Sequence, residues 1–234
     1  MTKQEFLSLL NENNVVLSEK QAFQFEKYLY LLQEYNKVMN LTGITEENEV
    51  YEKHFYDSLL FSFGENLNGL TLIDVGSGAG FPGIPLAIAY PNLTITLLEP
   101  LNKRCNFLDV VVKELDLKNV TIICERAEIY SRENIEKYDI ATARAVSKLN
   151  ILLEISSQMV KVGGHFIALK GKIAQEEIEQ ASNALKLLNF KIAKIKSDSL
   201  PSEEDERKNI FIKKIGRTNP KYPRNYSQVK NRPL

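Results

Sequence analysis

Four glycines in one short stretch are the residues with the clearest potential for chemistry. They follow the apolar run 72–75 and are Gly76, Gly78, Gly80 and Gly83. Because glycine lacks a Cβ atom, such a loop can adopt positive φ angles and let a ligand approach the backbone closely. An ordinary turn from a strand to a helix needs one or two glycines, not this many. The pattern therefore predicts a loop that binds a nucleotide-like cofactor.

Asp74, which stands two residues before this loop, helps to choose between two classes of cofactor. Residues 78–83 read Gly-Ala-Gly-Phe-Pro-Gly and satisfy the GxGxxG pattern of dinucleotide sites. In such a site a carboxylate would oppose the pyrophosphate that the loop must bind. The ammonium and sulfonium groups of S-adenosylmethionine tolerate a carboxylate there. The spacing thus favours S-adenosylmethionine and leaves an NAD-dependent oxidoreductase as the alternative enzyme.

Acidic residues follow the second and third predicted strands, where the rest of an adenosine cofactor would lie. Glu99 ends the second strand and can accept hydrogen bonds from both ribose hydroxyls, in either cofactor class. Ala127 and Glu128 follow the third strand, where an adenine ring would rest. A solvated acid that caps a helix is the alternative for Glu128. We predict that all three residues belong to the cofactor site.

Arg144 follows the fourth predicted strand, at the place where a transferred methyl group should point. The segment 141–146 lacks both the Asn/Asp-Pro-Pro-Tyr/Phe motif for an exocyclic amine and the Pro-Cys nucleophile for a pyrimidine carbon. The remaining acceptor class is already nucleophilic, such as a ring nitrogen, and needs alignment more than a general base. Arg144 is therefore the candidate catalytic residue that orients the base, with an ordinary ion pair as the alternative. No residue is assigned to proton transfer.

Basic residues are placed to hold a polyanion. Residues 213–234 contain seven Lys and Arg and no acid, although the whole chain has 30 residues of each sign. Such a segment is typical of phosphate binding, because each neutralised phosphate releases counterions; a solvated, disordered end is the alternative. Two further basic clusters follow predicted strands at the expected rim of the pocket. The predicted phosphate contacts are Lys103, Arg104, Lys170, Lys172, Lys221 and Arg224.

A helical cap followed by an alternating α/β segment would position these residues. Ser18 and Gln21 form a capping box for a helix that reaches about Tyr35, and another helix is predicted over about 48–63. Beyond residue 70, short β-rich runs alternate with helical ones, which predicts an α/β fold with a doubly wound, seven-stranded Rossmann-like methyltransferase sheet. The last two strands lack an intervening helix and should pair antiparallel at the sheet edge.

The predicted boundaries follow from these patterns. The predicted units are the helical cap 1–65, the S-adenosylmethionine-dependent methyltransferase domain 66–216 and the basic tail 217–234. The predicted strands are 71–75, 94–98, 120–124, 139–143, 165–169, 191–196 and 209–214. The predicted helices of the sheet domain are 83–89, 103–115, 148–160 and 173–188.

Composition and cysteine count exclude other classes. With 44% hydrophobic residues the chain can build a full core, and charges interrupt every apolar run before the roughly 18 residues of a membrane span. We expect a cytoplasmic protein without membrane association. Cys105 and Cys124 have no CxxC pattern or third thiol, so neither a disulfide nor a metal site is predicted. His54, Asp57 and Ser58 share one helix face, cannot form a hydrolase triad, and should lie where the cap meets the sheet.

Several longer motifs resemble one bacterial family, the RsmG or glucose-inhibited division protein B methyltransferases of small-subunit ribosomal RNA. The resemblance covers nearly the whole chain. Its most specific part is Gly-Phe-Pro-Gly-Ile-Pro at 80–85, because two prolines are unusual in the glycine loop of a methyltransferase. The other matching segments are 35–42, 54–58, 103–104, 144–145, 168–171 and 219–224.

The resemblance implies methylation of guanine N7 in small-subunit (16S) ribosomal RNA, with S-adenosylmethionine as the cofactor. Matched motif positions imply a cofactor site at Gly76, Phe81, Ala127, Glu128 and Arg144. The cap motifs add candidate RNA contacts at Asn36, Lys37, Asn40 and His54. The expected partner is ribosomal RNA or the small ribosomal subunit, and the expected state is a monomer without a metal. A non-catalytic RNA-binding factor for ribosome assembly remains the alternative from another class.

Overall fold

The structure is a computed structural model that describes residues 1–144, 146–171, 174–202 and 206–234. Two helices open the chain, α1 at Lys3–Glu12 and α2 at Glu19–Met39. Ser18 caps α2, since its side chain accepts from the Gln21 backbone N–H while the Gln21 side chain accepts from the Ser18 backbone. The helix continues beyond its predicted end because Asn40, in a left-handed conformation, is the residue that terminates it.

The third helical segment of the cap changes its helix type three times. It contains α3 at Glu47–Val50, a π-helical turn at Tyr51–Tyr56, α4 at Asp57–Leu59 and a 3₁₀ turn at Leu60–Ser62. The sequence predicts one regular helix here, because the aromatic residues at i+4 spacing fit an α-helix. A π turn is a departure that often marks a functional site.

Seven strands form one sheet. They are β1 at Thr71–Val75, β2 at Thr94–Leu98, β3 at Val120–Ile123, β4 at Tyr138–Arg144, β5 at Val160–Lys170, β6 at Phe190–Ser199 and β7 at Glu206–Lys214. The order across the sheet is β3-β2-β1-β4-β5-β7-β6, with β1 to β5 parallel and β7 antiparallel to both of its neighbours. The predicted seven-stranded, doubly wound class with an antiparallel edge is therefore confirmed.

Helices cover both faces of this sheet. They are α5 at Gly83–Ala89, α6 at Asn102–Glu114, α7 at Ala127–Glu133, α8 at Leu149–Ser156, α9 at Ala174–Gln180, α10 at Ser182–Leu187 and α11 at Tyr226–Asn231. The helix predicted over 148–160 stops at Ser156 because β5 begins at Val160, and the helix predicted over 173–188 is two helices. One apolar cluster joins the cap to one face, and a second fills the other face.

The C-terminal segment folds against α8 and does not extend as a basic arm. Tyr222 and Val229 are buried, and the Gln158 side chain donates to the Tyr222 carbonyl at 2.9 Å. Arg224 donates from Nε (2.7 Å) and Nη2 (2.6 Å) to the two carboxylate oxygens of Glu154, which is fully buried. Arg224 therefore has a structural partner within the protein, and its contact with an RNA phosphate stays a prediction.

Cys105 and Cys124 form a disulfide, against the expectation from sequence. The two residues are 19 positions apart along the chain, but their Cα atoms are 6.0 Å apart. Cys105 lies in the first turns of α6 and Cys124 directly follows β3, and β2, which leads into α6, pairs with β3. The sheet therefore brings together two residues whose spacing carries no recognisable motif.

Candidate cofactor and acceptor site

The glycine loop follows β1 and has a conformation that side chains disfavour. The φ angles of Gly76, Gly78 and Gly80 are 75°, 60° and 103°, in the left-handed region. A Cβ atom on Gly80 would lie 2.8 Å from the Tyr28 hydroxyl and 2.6 Å from the Ile84 side chain. The cap thus packs directly on the back of the loop, which holds it in shape.

Two acidic residues hold the loop by accepting backbone N–H groups. Glu99 is 1% exposed, and its carboxylate accepts from Gly78 at 2.9 Å and from Leu101 at 3.1 Å. Asp74 is fully buried and accepts from the Gly83 N–H at 3.0 Å. Burial raises the pKa of Asp74 to about 7. Its second oxygen has no hydrogen-bond partner among the described residues.

A cavity of about 440 Å³, which we call the cofactor cavity, opens in front of this loop. Its lining residues are Leu41, Thr42, His54, Gly76, Ser77, Gly78, Ala79, Phe81, Glu99, Pro100, Leu101, Arg104, Arg144 and Val146. The structure thus brings most of the predicted cofactor residues together around one space, whose volume falls within the range of small-molecule sites.

Four predicted cofactor residues are not part of this lining. Asp74 and Gly80 lie behind the loop, where they support it. Ala127 and Glu128 begin α7, and Glu128 pairs with Arg126 at 2.5 Å. The electrostatic argument from Asp74 is also weakened, because a buried carboxyl with a raised pKa carries little charge toward a ligand.

Arg144 lies at the centre of an aromatic and polar stack. Its guanidinium is 4.9 Å from the centre of the Phe81 ring, and the His54 ring stacks on Phe81 at 4.5 Å. The Nη1 group donates to the Lys53 carbonyl at 2.9 Å and to Asp57 at 3.0 Å, and the Nη2 group lies 3.2 Å from the His54 Nδ1. These three acceptors all belong to the π-helical turn or to the residue that follows it.

His54 is neutral in this arrangement. Burial and the neighbouring charge of Arg144 lower the pKa of His54 to about 3. Because an arginine only donates, we assign the His54 proton to Nε2, which then donates to the Thr42 hydroxyl at 2.7 Å. The imidazole is therefore an oriented, uncharged wall of the cofactor cavity, and the structure does not place it on an outer surface for RNA.

A second cavity of about 490 Å³, which we call the acceptor cavity, adjoins the first. Its lining residues are Asp57, Arg144, Val146, Ser147, Lys148, Leu169, Lys170, Gly171, Glu177, Arg207 and Asn209. Among the described residues, Arg144 and Val146 are the two that line both cavities. The Asp57 carboxylate joins Arg144 on one oxygen to Arg207 on the other, at 3.0 and 3.2 Å. Sequence reasoning placed Asp57 at this junction but missed its link to both arginines, which are far away in the chain.

Several predicted RNA contacts have other partners. Lys170 pairs with Glu177 at 2.8 Å, donates to the Ser147 carbonyl, and is almost buried; its contact with a phosphate stays a prediction and would require Lys170 to leave these partners. Asn36 exchanges hydrogen bonds of 2.9 and 3.0 Å with the backbone of Thr42 and shapes the turn that lines the cofactor cavity.

The remaining predicted RNA contacts differ in exposure. Asn40 terminates α2, and the Arg104 guanidinium faces Glu99 at 3.9 Å. Lys103 and Lys221 are exposed. Lys37 is also largely exposed and pairs with Glu34 at 2.5 Å. Lys172 lies outside the described residues. Arg104 lines the cofactor cavity with a side chain that is 39% exposed, and Lys37 and Lys103 are the exposed lysines among the predicted contacts of the cap and α6.

The described residues show no sign of two other kinds of site. Within 1–144, 146–171, 174–202 and 206–234, no helix has the length and apolar character to span a membrane. In the same residues, no group of three or more His, Cys, Asp or Glu is arranged to hold a metal ion.

Solved methyltransferases share this fold. A SAM-dependent methyltransferase from Aquifex aeolicus aligns with a TM-score of 0.54 and 15% identity, covering 74% of this chain and 96% of that chain. The M. jannaschii TYW2 structure, determined in complex with AdoMet, aligns with a TM-score of 0.55 and 17% identity over 69% and 76% of the two chains. At these identities the similarity establishes the Rossmann-like methyltransferase fold.

The chain belongs to the GidB family, described as rRNA small subunit methyltransferase G, whose sequence model matches residues 21–210. The Ribosomal RNA small subunit methyltransferase G of Staphylococcus saprophyticus is 46% identical over 227 residues, covering 96% of this chain and 95% of that protein. The protein of the same name from Limosilactobacillus reuteri is 45% identical over 240 residues and covers both chains fully. The predicted family and the predicted class of enzyme, a methyltransferase, are therefore confirmed, and neither alternative function receives support.

Proposed function

We propose that this protein uses S-adenosylmethionine to methylate N7 of a guanine in small-subunit ribosomal RNA. The observation that supports this most directly is the pair of adjoining cavities, with the glycine loop on one side and Arg144 between them. Membership in a ribosomal RNA methyltransferase family supplies the substrate class. N7 is the finer part of the proposal, and the absence of amine- and carbon-directed motifs in 141–146 favours it.

The residues of the cofactor cavity fit S-adenosylmethionine. Gly76 and Gly78 line the cavity at positive φ angles, which favour glycine. Because glycine has no side chain, a ligand can approach the backbone there. Glu99 is buried at the end of β2, and each of its oxygens can accept a ribose hydroxyl besides the backbone N–H that it already holds. When bound, S-adenosylmethionine supplies the methyl group of its sulfonium. Ala127 and Glu128 stay proposed neighbours of the adenine, because they begin the helix that follows β3, and β3 pairs in parallel with β2, which leads to Glu99.

The protein residues at the acceptor align the base and move no proton. Guanine N7 carries a lone pair, so no general base is needed, and the reaction depends on alignment. Arg144 is fixed by three acceptors and by the Phe81 ring, and it orients the base between the cavities. The neutral imidazole of His54 adds no positive charge beside a base that becomes positive on methylation.

We assign RNA phosphates to exposed lysines around the mouth of the cofactor cavity. Lys103 follows Leu101, which lines the cavity, and Lys37 stands four residues before Leu41, which also lines it. Lys221 adds positive charge on the folded C-terminal segment. We further propose that the protein acts as a monomer. The ribosomal substrate supports a cytoplasmic location.

Calorimetry with S-adenosylhomocysteine and with NAD tests the cofactor assignment. We expect saturable binding of S-adenosylhomocysteine alone; binding of NAD alone would overturn the assignment. The variant Gly78→Val should abolish binding, because valine is strained at a φ of 60° and would intrude on the ligand. Gly43→Val is the matched control, since a Cβ at Gly43 meets nothing within 4 Å.

Methylation of ribosomal RNA tests the substrate assignment. Small ribosomal subunits from a strain that lacks this gene should accept one methyl group per particle from labelled S-adenosylmethionine. Mass spectrometry of the nuclease digest should then show 7-methylguanosine. Methylation of any other atom would overturn the N7 assignment, and the absence of methylation on both particles and free rRNA would overturn the proposed function.

A further inference from the structure

Arg144 retains hydrogen-bonding capacity at the wall between the two cavities. A guanidinium has five N–H groups. Arg144 gives three of them to the Lys53 carbonyl, His54 Nδ1 and Asp57. Its Nε–H and one Nη2–H have no acceptor among the residues that the structure describes. Arg144 lines both cavities, so these N–H groups lie beside the place where the acceptor atom must meet the methyl group.

Asp57 is the charged member of the set that holds Arg144. The other two acceptors are a backbone carbonyl and a neutral imidazole. Asp57 also accepts from the Nε of Arg207 at 3.2 Å, and its side chain is 14% exposed. The carboxylate therefore links the end of β4 to β7 and fixes the direction of the Arg144 guanidinium. Charge-assisted hydrogen bonds of this kind are shorter and stronger than neutral ones.

The direction of the Arg144 guanidinium can distinguish guanine from adenine. A base whose N7 faces the cofactor cavity places its C6 substituent next to the same wall. In guanine this substituent is O6, an acceptor, whereas in adenine it is an amino group, a donor. A guanidinium only donates, so Arg144 can bind O6 and opposes the adenine amino group.

The two carboxylates that line the acceptor cavity in the described residues are already paired, whereas the exposed Lys148 is a further donor. Lys170 and Glu177 neutralise each other at 2.8 Å, and the Glu177 carboxylate also accepts the Leu149 N–H. Both oxygens of Asp57 are engaged with arginines. Asp57 and Glu177 thus already accept from positively charged groups, and each carboxylate keeps lone pairs that a further N–H could use. The available donors of Arg144 make O6 the atom that identifies the base.

We propose that Asp57 is the positioning residue for base selection. It holds Arg144 so that the remaining N–H groups donate to O6 of the target guanine in the acceptor cavity and disfavour adenine. This inference rests on the proposed function and deepens it, because it assigns the atom by which guanine is recognised and the residue that sets the geometry.

The test uses three bases at the methylated position. Small subunits are reconstituted with rRNA that carries guanine, inosine or 2-aminopurine there, the position being the one that the wild-type protein methylates. Inosine lacks the N2 amine but keeps O6, and 2-aminopurine lacks O6. For wild type we expect kcat/KM on inosine within about threefold of guanine and a loss of about 30-fold on 2-aminopurine. An inosine defect equal to that of 2-aminopurine would overturn the proposal, as would an unimpaired 2-aminopurine substrate.

Asp57→Asn tests the positioning role. We expect kcat on guanine to fall about 30-fold with little change in KM, because exposed lysines hold the RNA, and the guanine preference over 2-aminopurine to shrink to about threefold. Affinity for S-adenosylhomocysteine should stay within about threefold. A retained preference, or a loss confined to cofactor affinity, would overturn the assignment.

Asp139→Asn is the matched control. Asp139 pairs with Lys161 at 2.8 Å and accepts from Thr71, near the start of the same strand that ends in Arg144. The Asp139→Asn variant should be less stable than wild type but should keep the preference for guanine over 2-aminopurine. If Asp57→Asn fails to fold, the three-base series with wild type can still overturn the proposal, because recognition of O6 is a necessary part of it. Failure of the proposed function is distinct, because wild type would then bind no S-adenosylhomocysteine or methylate no guanine.

Discussion

Arg144 and Arg224 are both held by carboxylates, but their surroundings differ. Arg224 gives two guanidinium nitrogens and its backbone N–H to Glu154, which is fully buried beneath the folded C-terminal segment. Arg144 is 15% exposed, packs on Phe81, and lines two cavities. Both arginines attract attention in the sequence as candidate contacts to nucleic acid. The structure separates an ion pair that closes a core from an arginine that lines two cavities.

The separation follows from what each guanidinium has left to donate. Around Arg224 both carboxylate oxygens are satisfied, and another N–H binds the Arg232 carbonyl, so the pair serves the fold. Around Arg144 two N–H groups have no acceptor among the described residues, while the other three are held by Lys53, His54 and Asp57. Donors fixed before the ligand arrives need no reorganisation during the reaction.

Replacement of Arg144 should give the largest effect. In Arg144→Ala we expect kcat for ribosomal RNA methylation to fall about 10³-fold, because the base loses its fixed donor beside N7. Stopped-time methyl incorporation into unmethylated small subunits measures the rate, and thermal melting checks the fold. A variant that stays folded and within tenfold of wild type would remove Arg144 from the reaction.

Replacement of Arg224 should lower the stability of the protein and leave its activity unchanged, the opposite of the effect expected for Arg144. Arg224→Ala leaves the Glu154 carboxylate buried without a partner, which should lower the free energy of unfolding by about 3 kcal/mol. Urea denaturation measures this change. The activity of each folded molecule should stay as in wild type. Lys221→Ala, at an exposed site in the same segment, is the control and should change stability by less than about 0.5 kcal/mol. Equal stability of the two variants would contradict the structural role of Arg224.

The sequence predicted the parts of the site that depend on local pattern. The glycine loop, Glu99 and the ends of the strands follow from apolar runs and glycine spacing, and they line the cofactor cavity or support its loop. Parallel strands place their carboxyl ends at one edge, so residues after different strands were correctly expected to meet there. This is why Gly76, Glu99 and Arg144 come together although they are distant in the chain.

The sequence failed where side chains pair across elements. Nothing local indicates that Asp57 joins Arg144 to Arg207, that Lys170 pairs with Glu177, or that Glu154 is buried beneath the tail. A basic cluster has the same appearance whether it faces solvent or a buried carboxylate. The disulfide between Cys105 and Cys124 was missed for the same reason, because its geometry depends on the neighbouring positions of β2 and β3.

Asp74 is a third buried acid, and its stability effect should depend on pH. Unlike Glu154 it has no guanidinium partner, and burial raises its pKa from 3.8 to about 7. The folded protein therefore binds more protons than the unfolded chain between these values, so Asp74 stabilises most below about pH 4 and this contribution is lost as pH rises through 7. Relative to wild type, Asp74→Asn should gain about 2 kcal/mol between pH 5 and pH 8.

Urea denaturation across this pH range tests the prediction. Asp139→Asn is the control, because hydrogen bonds lower the pKa of Asp139 and confine its titration to more acidic pH. Its difference from wild type should stay constant between pH 5 and pH 8. If the difference in unfolding free energy between Asp74→Asn and wild type were also constant, the pKa of the buried Asp74 carboxyl would not be raised.

The smallest expected effects concern exposed lysines, which test whether RNA approaches from the cap or from the tail. The double variant Lys37→Ala/Lys103→Ala removes two exposed charges beside the cofactor cavity, and Lys221→Ala/Lys230→Ala removes two from the C-terminal segment. Each phosphate contact that is lost should reduce the salt dependence of binding by about one unit of slope. We expect the slope of the salt dependence to decrease by about two for the first pair and by less for the second. Filter binding to unmethylated small subunits between about 50 and 200 mM salt, where such slopes are about linear, measures it. A larger decrease for the tail pair would place the RNA on the segment that Arg224 holds to the core, and the fold-stabilising ion pair would then also orient a binding surface.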